Sequence, residues 1–346
     1  MKVDYIIVGL GLAGLAFAEE LMHSGKTFVV FEDYSQTSSL VAGGVYNPVI
    51  LKRFTPVWNA KEQLAIALPF YISLEKKLNT TLDYKFSTRK VFKSVEDQNN
   101  WFLASDKPIL SDFMNPEIIS EKIDEIIGDF GYGEVYQTGR IDTHQLISTY
   151  RDYLKENHLI RNEKFEHSAV DFFEDRLHYK DLISKRIVFC EGFGVKQNPY
   201  FKDLPLKEAK GETLTIHALN LNVTFLIKST LFVLPLGEDI YKVGATFNWN
   251  DKTSNPSQEG RKELVDKLKK VIQTPYKIID HSAGIRPTVK DRRPLVGIHS
   301  KHKQLAILNG LGTRGVMMAP SMAKQLYGFL EEGIGLDPEI NCDRFM

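Results

Sequence analysis

Apolar and polar positions follow two periods along this chain, and the points where the period changes mark its organisation. Asp4-Tyr5-Ile6-Ile7-Val8 is a short apolar run rich in β-branched residues, which predicts a strand. Leu12, Leu15, Ala16, Ala18 and Leu21 then recur at helical spacing until Gly25. A second apolar run, Thr27-Phe28-Val29-Val30-Phe31, is closed by Glu32. Residues 58–78 read as a long amphipathic helix that Pro69 should kink or split. From 82 to 103 the pattern turns strand-like, in Tyr84-Lys85-Phe86 and again from Lys90 to Val95. A helix is expected around 120–126 and a strand at 133–137.

Asp142-Thr143-His144-Gln145 reads as a capping box that opens a helix reaching Asn157. Short strands are expected at 164–166, 169–173 and 176–179, and a longer one from Ser184 to Cys190. A β-rich block runs from 211 to 247, a helix from 262 to 272, and a loop and turn region from 281 to 297. Leu305-Ala306-Ile307-Leu308-Asn309 is an apolar strand, and a helix follows from Val316 to Leu330. Apolar strand and helix signals of one kind thus sit at the start, middle and end, with β-rich blocks between them. Two discontinuous domains are expected: residues 1–80, 138–205 and 282–346 in one, 81–137 and 206–281 in the other.

Composition narrows the class without naming a function. The 346 residues are 43% hydrophobic and 25% charged, ordinary for a globular protein. Lys+Arg and Asp+Glu balance at 44 each, so nothing in the net charge draws the chain to nucleic acid or an anionic membrane. Cys190 and Cys342 are too few for a disulfide framework or a multi-cysteine metal site, and no histidine has metal-ligand spacing. A reducing compartment, the cytoplasm, is expected. Lys2 before an apolar run resembles a signal peptide, but Asp4 and Glu19-Glu20 break it, and no run is long enough for a membrane span.

The opening strand runs into Gly9-Leu10-Gly11-Leu12-Ala13-Gly14. Gly9 suits the turn, Gly11 lets a pyrophosphate approach the backbone, and Gly14 lets the helix lie close on the sheet. The helix N-terminus offers free N–H groups to phosphate. Glu32 is placed for a ribose hydroxyl, which leaves NAD and FAD both open. Asp33 follows it, and Ser39, Ala42, Gly43 and Gly44 lie on a downstream loop suited to close approach by something flat or charged. Gly310-Leu311-Gly312-Thr313-Arg314-Gly315 before Val316 repeats the strand, glycine turn and helix. Such a helix end stabilises negative charge, as on the pyrimidine end of a flavin.

These motifs, with Lys210-Gly211-Glu212, Gly284-Ile285-Arg286-Pro287 and Arg293-Pro294-Leu295-Val296-Gly297, resemble the D-amino-acid oxidase superfamily. The branch of glycine oxidase, sarcosine oxidase and D-amino-acid dehydrogenase is the most similar. The oxidase domain of the bifunctional tRNA wobble-uridine enzyme is similar too. The resemblance implies an α/β fold: a Rossmann-like FAD-binding domain with an inserted mixed-β-sheet (α+β) substrate domain. It implies FAD, oxidation of the C–N bond of an amino acid or secondary amine by hydride transfer to flavin N5, and dioxygen or another electron acceptor. By position, Val170 would meet the adenine, Gly192 would join the cofactor site, and Arg286 would bind the substrate carboxylate. No cysteine lies between Arg286 and Gly315, so noncovalent FAD is expected. Cys190-Glu191-Gly192-Phe193 departs from the family's alanine-x-glycine-x-tryptophan, and Phe232 stands where a tyrosine or histidine is frequent.

Individual side chains carry alternatives. Arg286 suits a carboxylate through two parallel hydrogen bonds, or a local acid such as Asp291. Lys242 shares a strand face with Gly244 and Thr246 and either lies over flavin N5, promoting reaction with dioxygen, or is exposed beside a hairpin. Tyr46 is a candidate pocket wall, while Lys52 and Arg53 read better as solvated loop charges. The rival functions are a flavin enzyme acting at a C–O or C–H bond and a flavin domain partnered with tRNA modification.

Overall fold

A computed structural model describes residues 1–345. Two large sheets organise them. The first has a parallel core in the order Ile160–Arg161, Phe28–Phe31, Lys2–Val8, Leu182–Phe189, Leu305–Asn309. The antiparallel strands Leu177–Tyr179 and Val170–Phe172 extend one end of Leu182–Phe189, and Leu295–Ile298 pairs with Leu305–Asn309. Core strands of a parallel sheet are covered on both faces, which is why their sequences are continuously apolar. On one face the helices Leu12–His23, Ala60–Leu78 and Gly315–Glu331 pack together. The other face closes over an aromatic cluster that includes Phe31, Phe165, Tyr179 and Phe189.

The second sheet has the order Lys277–Val289, Leu206–His217, Ile240–Gly244, Phe232–Gly237, Leu226–Lys228, Thr88–Val91, Tyr132–Val135, Met114–Ile119. All its pairs are antiparallel except Leu226–Lys228 with Thr88–Val91, so it is mixed. Strand alternation divides its residues between two faces. Leu214, Ile216, Ile227, Val233 and Val243 bury one face against the helix Gln258–Leu268. Gly211, Thr213, Lys228 and Phe232 belong to the opposite face, toward the first sheet. The fold is therefore the α/β one expected, a nucleotide-binding sheet with an inserted mixed sheet.

Several elements differ from the expectations. Residues 281–297 are not a loop: Lys277–Val289 is one strand of 13 residues, and Leu295–Ile298 is another. Gly284 and Pro287 read as breakers but are tolerated. The strand lies at the sheet edge, where proline is permitted, and Gly284 lets Ser38 pack within 3.3 Å of the position a Cβ would take. The expected domain boundary at 281/282 falls inside this strand. Val95–Ser105 is a helix, not strand, capped by Ser94 accepting from the Asp97 N–H at 3.2 Å. The helix expected at 120–126 is absent, and Met114–Ile119 is a strand. Pro69 lies within a helix that continues through it. Asp142 caps Thr143–Glu156 as expected, accepting from the Gln145 N–H at 3.0 Å.

Candidate active site

The carboxyl ends of the parallel strands all open on one cavity of about 700 Å³ that extends to the inner face of the second sheet. That is where an open α/β sheet binds its ligand, because the following helices present their N-termini there. Gly9 turns the chain at φ +97°, and a Cβ there would lie 2.7 Å from the Cys190 carbonyl oxygen. A Cβ on Gly14 would collide with the Gly9 carbonyl, so the first helix sits at its closest approach to the strand. Leu12, at the start of that helix, and Gly315, at the start of the last, both line the cavity. The Leu12 N–H faces Ser39 Oγ at 3.4 Å.

Glu32 is buried beneath the first turn, where its carboxylate accepts from the N–H groups of Leu10 and Tyr34. Burial raises its pKa, and these two donors oppose the rise. Asp33, Ala42, Gly43, Gly44, Gly192, Gly312, Thr313, Arg314 and Val316 line the cavity with Gly11 and Ala13. Beside Gly192, Glu191 accepts from Asn198 Nδ2 at 2.7 Å and meets His167 Nε2 at 2.9 Å. Among the described residues Thr213 Oγ1 is buried on the cavity wall without a hydrogen-bond partner. A flavin dinucleotide fits this set: one helix N-terminus for its phosphates, a second for negative charge on the flavin ring, an acid for ribose, and an unused hydroxyl on the facing sheet.

Arg286 lines the far wall. Its guanidinium covers Gly211, where any side chain would collide with it, and donates weakly to the carbonyls of Lys210 (3.4 Å) and Thr246 (3.3 Å). Phe247 stacks 5.1 Å away. No carboxylate pairs with it among the described residues, and Asp291 is held by Arg344 instead. Burial without an acid partner pushes the Arg286 pKa down to about 10. Burial also lowers that of Arg314, and Arg292 and Arg293 reinforce the shift.

Five expected site residues stand off the cavity wall. Tyr46 does not wall the cavity. Its strand, Val45–Tyr46, pairs with Gly139–Ile141, and its buried hydroxyl donates to Asp83 Oδ1 at 2.7 Å. Lys242 is on the inner face but does not line the cavity. Its ammonium donates to the Val41 carbonyl at 2.9 Å, and burial lowers its pKa. Val170 is buried in an edge strand paired with Tyr179, while Phe165 and His167 line the cavity nearby. Gly310, at φ +75°, shapes its turn without lining the cavity. Gly14 likewise acts through packing alone.

Sequence reasoning missed Lys228. It lines the cavity, and its only signal was a strand alternation shared with Leu226. Thr88 and Thr213 were missed for the same reason, since they meet only through sheet pairing, and Phe247 lies on the loop after Ile240–Gly244.

A fold of this kind with such a cavity defines a class of flavoenzyme, and the sequence agrees. Residues 4–327 match the sequence model of the family described as FAD dependent oxidoreductase (DAO), and the chain belongs to that family. It is an FAD-dependent oxidoreductase. The glycine oxidase of Bacillus subtilis (strain 168) is 25% identical over 370 residues, covering 99% of this chain and 96% of that one. The tRNA 5-methylaminomethyl-2-thiouridine biosynthesis bifunctional protein MnmC of Campylobacter jejuni subsp. jejuni is 21% identical over 300 residues. That match covers 84% of this chain and 45% of the bifunctional protein. The crystal structure of glycine oxidase from Bacillus cereus ATCC 14579 superposes with a TM-score of 0.79 at 17% identity, covering 96% of each chain. None of the described helices is long and apolar enough to cross a membrane.

Proposed function

We propose that this enzyme oxidises the C–N bond of an amino acid or secondary amine that carries a carboxylate. The observation that carries the reading is Arg286, a cavity-wall guanidinium whose only hydrogen-bond acceptors among the described residues are two long backbone contacts. A cation held this way is poised for an anionic ligand, and a carboxylate can take two parallel N–H bonds from it. Bound in this cavity, FAD would supply the two-electron oxidation of such a C–N bond.

The chain's own part is orientation. Arg286 fixes the carboxylate, and Phe232 presents an apolar surface beside Gly43 that keeps water from the reacting carbon. Lys242 holds the Val41 carbonyl and so positions residues 41–44 rather than touching substrate. FAD would be held, noncovalently, by the two glycine turns, Ser39, Glu32 and residues 42–44. The two sheets mark two domains, with the boundary after Val289 instead of before Ser282. Two free, buried cysteines fit the reducing cytoplasm.

The test is reduction of the holoenzyme's flavin, without air, by a panel of amines, amino acids and hydroxy acids, followed by admission of air. Bleaching by carboxylate-bearing amines is expected, and recovery in air separates an oxidase from a dehydrogenase. Bleaching by hydroxy acids alone would reject the reading.

A second reading follows from the MnmC similarity and one surface feature. Phe247, on the cavity lining, and its exposed neighbour Trp249 have ring centroids 4.9 Å apart, a surface on which a nucleobase could stack. It requires that a modified nucleoside bearing an alkylamino group reduce the flavin while free amino acids do not.

A further inference from the structure

Charge is distributed unevenly around the cavity. The acids that line it, Glu32, Asp33, Glu163 and Glu191, all belong to the nucleotide-binding side. Among the described lining residues, the second sheet contributes only two charged side chains, Arg286 and Lys228, and both are cations.

Lys228 ends the strand Leu226–Lys228, with Phe232 and Lys90 as its cross-strand neighbours. It is half-buried on the cavity face, and no hydrogen bond or ion pair holds it among the described residues. Lys90 differs, because it donates to the Val91 carbonyl at 3.0 Å and approaches Asp97 at 3.8 Å. A structural lysine would find an acid. Lys228 has none among the described residues, and it lines the cavity.

The two cations can serve one ligand. The Arg286 guanidinium lies over Gly211 on Leu206–His217, and Lys228 is three strands further along the sheet. Across the strands that is about 14 Å of backbone, and the row Lys228–Phe232–Gly244–Thr213 meets Leu206–His217 two residues from Gly211, about 7 Å further along that strand; the lysine side chain narrows the gap.

We propose that Lys228 binds a second anionic group of the substrate, so that the preferred substrate is a dicarboxylic amine with one carboxylate on Arg286 and the other on Lys228. This rests on the reading of Arg286 given above. Burial and the neighbouring ammonium of Lys90, with a smaller effect from Lys267, push the Lys228 pKa down to about 8, and an anion beside it would offset all three. The adjoining strand Phe232–Gly237 brings no charged side chain, and exposed Lys52 on the cavity wall adds only positive charge.

The experiment is anaerobic flavin reduction of the holoenzyme by matched pairs differing in the second carboxylate. Suitable pairs are aspartate with asparagine, glutamate with glutamine, and N-carboxyalkyl with N-alkyl glycines. At least tenfold greater reduction efficiency is expected for the diacid of the preferred pair. In Lys228→Gln that ratio should fall to near one, mainly through apparent binding, and Lys228→Arg should restore much of it. Equal efficiency within every pair in the wild type overturns the proposal, as does an unchanged ratio in Lys228→Gln. If Lys228→Gln fails to retain FAD or to fold, the wild-type ratio and the Lys228→Arg variant decide. Reduction by amines without diacid preference removes only this inference, whereas no reduction by any amine removes the reading of Arg286 as well.

Discussion

The two walls of the cavity are built by different means. The nucleotide-binding wall is mostly backbone: glycine turns, helix N-termini and a buried acid tied to two N–H groups. The facing wall is mostly side chain: Arg286, Lys228, Thr213 and Phe232 come from four strands of one sheet. Backbone recognition needs residues that are close in sequence, and side-chain recognition needs residues that are close only after folding. The first wall can hold a cofactor shared across a family, while the second can change its substrate by single replacements.

The largest expected effect breaks the backbone wall. Gly9→Val puts a side chain where φ is +97° and the Cys190 carbonyl leaves no room, so the protein should lack flavin or fail to fold. Gly11→Ala separates the two outcomes. Its Cβ would meet only Ser39 Oγ at 3.2 Å, so the fold should survive while FAD affinity falls sharply, read by flavin absorbance against protein.

Next comes the side-chain wall. Arg286→Met should keep its flavin and lose about 10²–10³-fold in reduction efficiency, since hydrogen bonds to charged groups are each worth roughly 1.5–3 kcal/mol. A variant that loses flavin in parallel with activity would show that Arg286 supports the fold and not the substrate.

A pH series sharpens the contrast between the two cations. Lys228 titrates near 8 and binds an anion only when protonated, so its contribution is present below pH 8 and is lost as pH rises through that value. Arg286 stays charged to about 10. The affinity of a non-oxidisable dicarboxylate inhibitor should therefore weaken between pH 7 and 9 relative to a monocarboxylate, and parallel profiles would contradict the assignment. Lys242→Met should raise the FAD dissociation constant only about tenfold, the loss of one charge-assisted bond to Val41. Its effect on the reaction of reduced enzyme with dioxygen should be under twofold, by stopped flow, if the ammonium positions residues 41–44 as the geometry indicates. The smallest change is Ser94→Ala, a lost helix cap that should cost about 1 kcal/mol in denaturant unfolding and nothing in catalysis.

The same division explains what the sequence made legible. Both glycine turns, Glu32, the capped helix Thr143–Glu156 and the parallel core strands follow from local pattern. Arg286 stands on the cavity wall, but on a strand and not in the expected turn, because Gly284 and Pro287 look like turn residues and only an edge position lets a strand carry them. Tyr46 and Lys242 look like site residues in the chain and are turned aside by tertiary partners, Asp83 and the Val41 carbonyl. Lys228 gave almost no signal, because a lysine ending a three-residue strand is ordinary until the sheet places it on the cavity face. Val95–Ser105 was missed although Ser94 and two following acids mark a helix start.

The central claim is that Arg286 and the substrate carboxylate recognise each other. A double-variant cycle on anaerobic flavin reduction tests it most directly, using wild type and Arg286→Met with a reducing amino acid and the amine lacking its carboxylate. If the two groups are partners, each removal costs about 10²–10³-fold and both together cost little more than either alone. Losses that multiply would contradict the claim, placing the carboxylate elsewhere and leaving Arg286 as a structural cation.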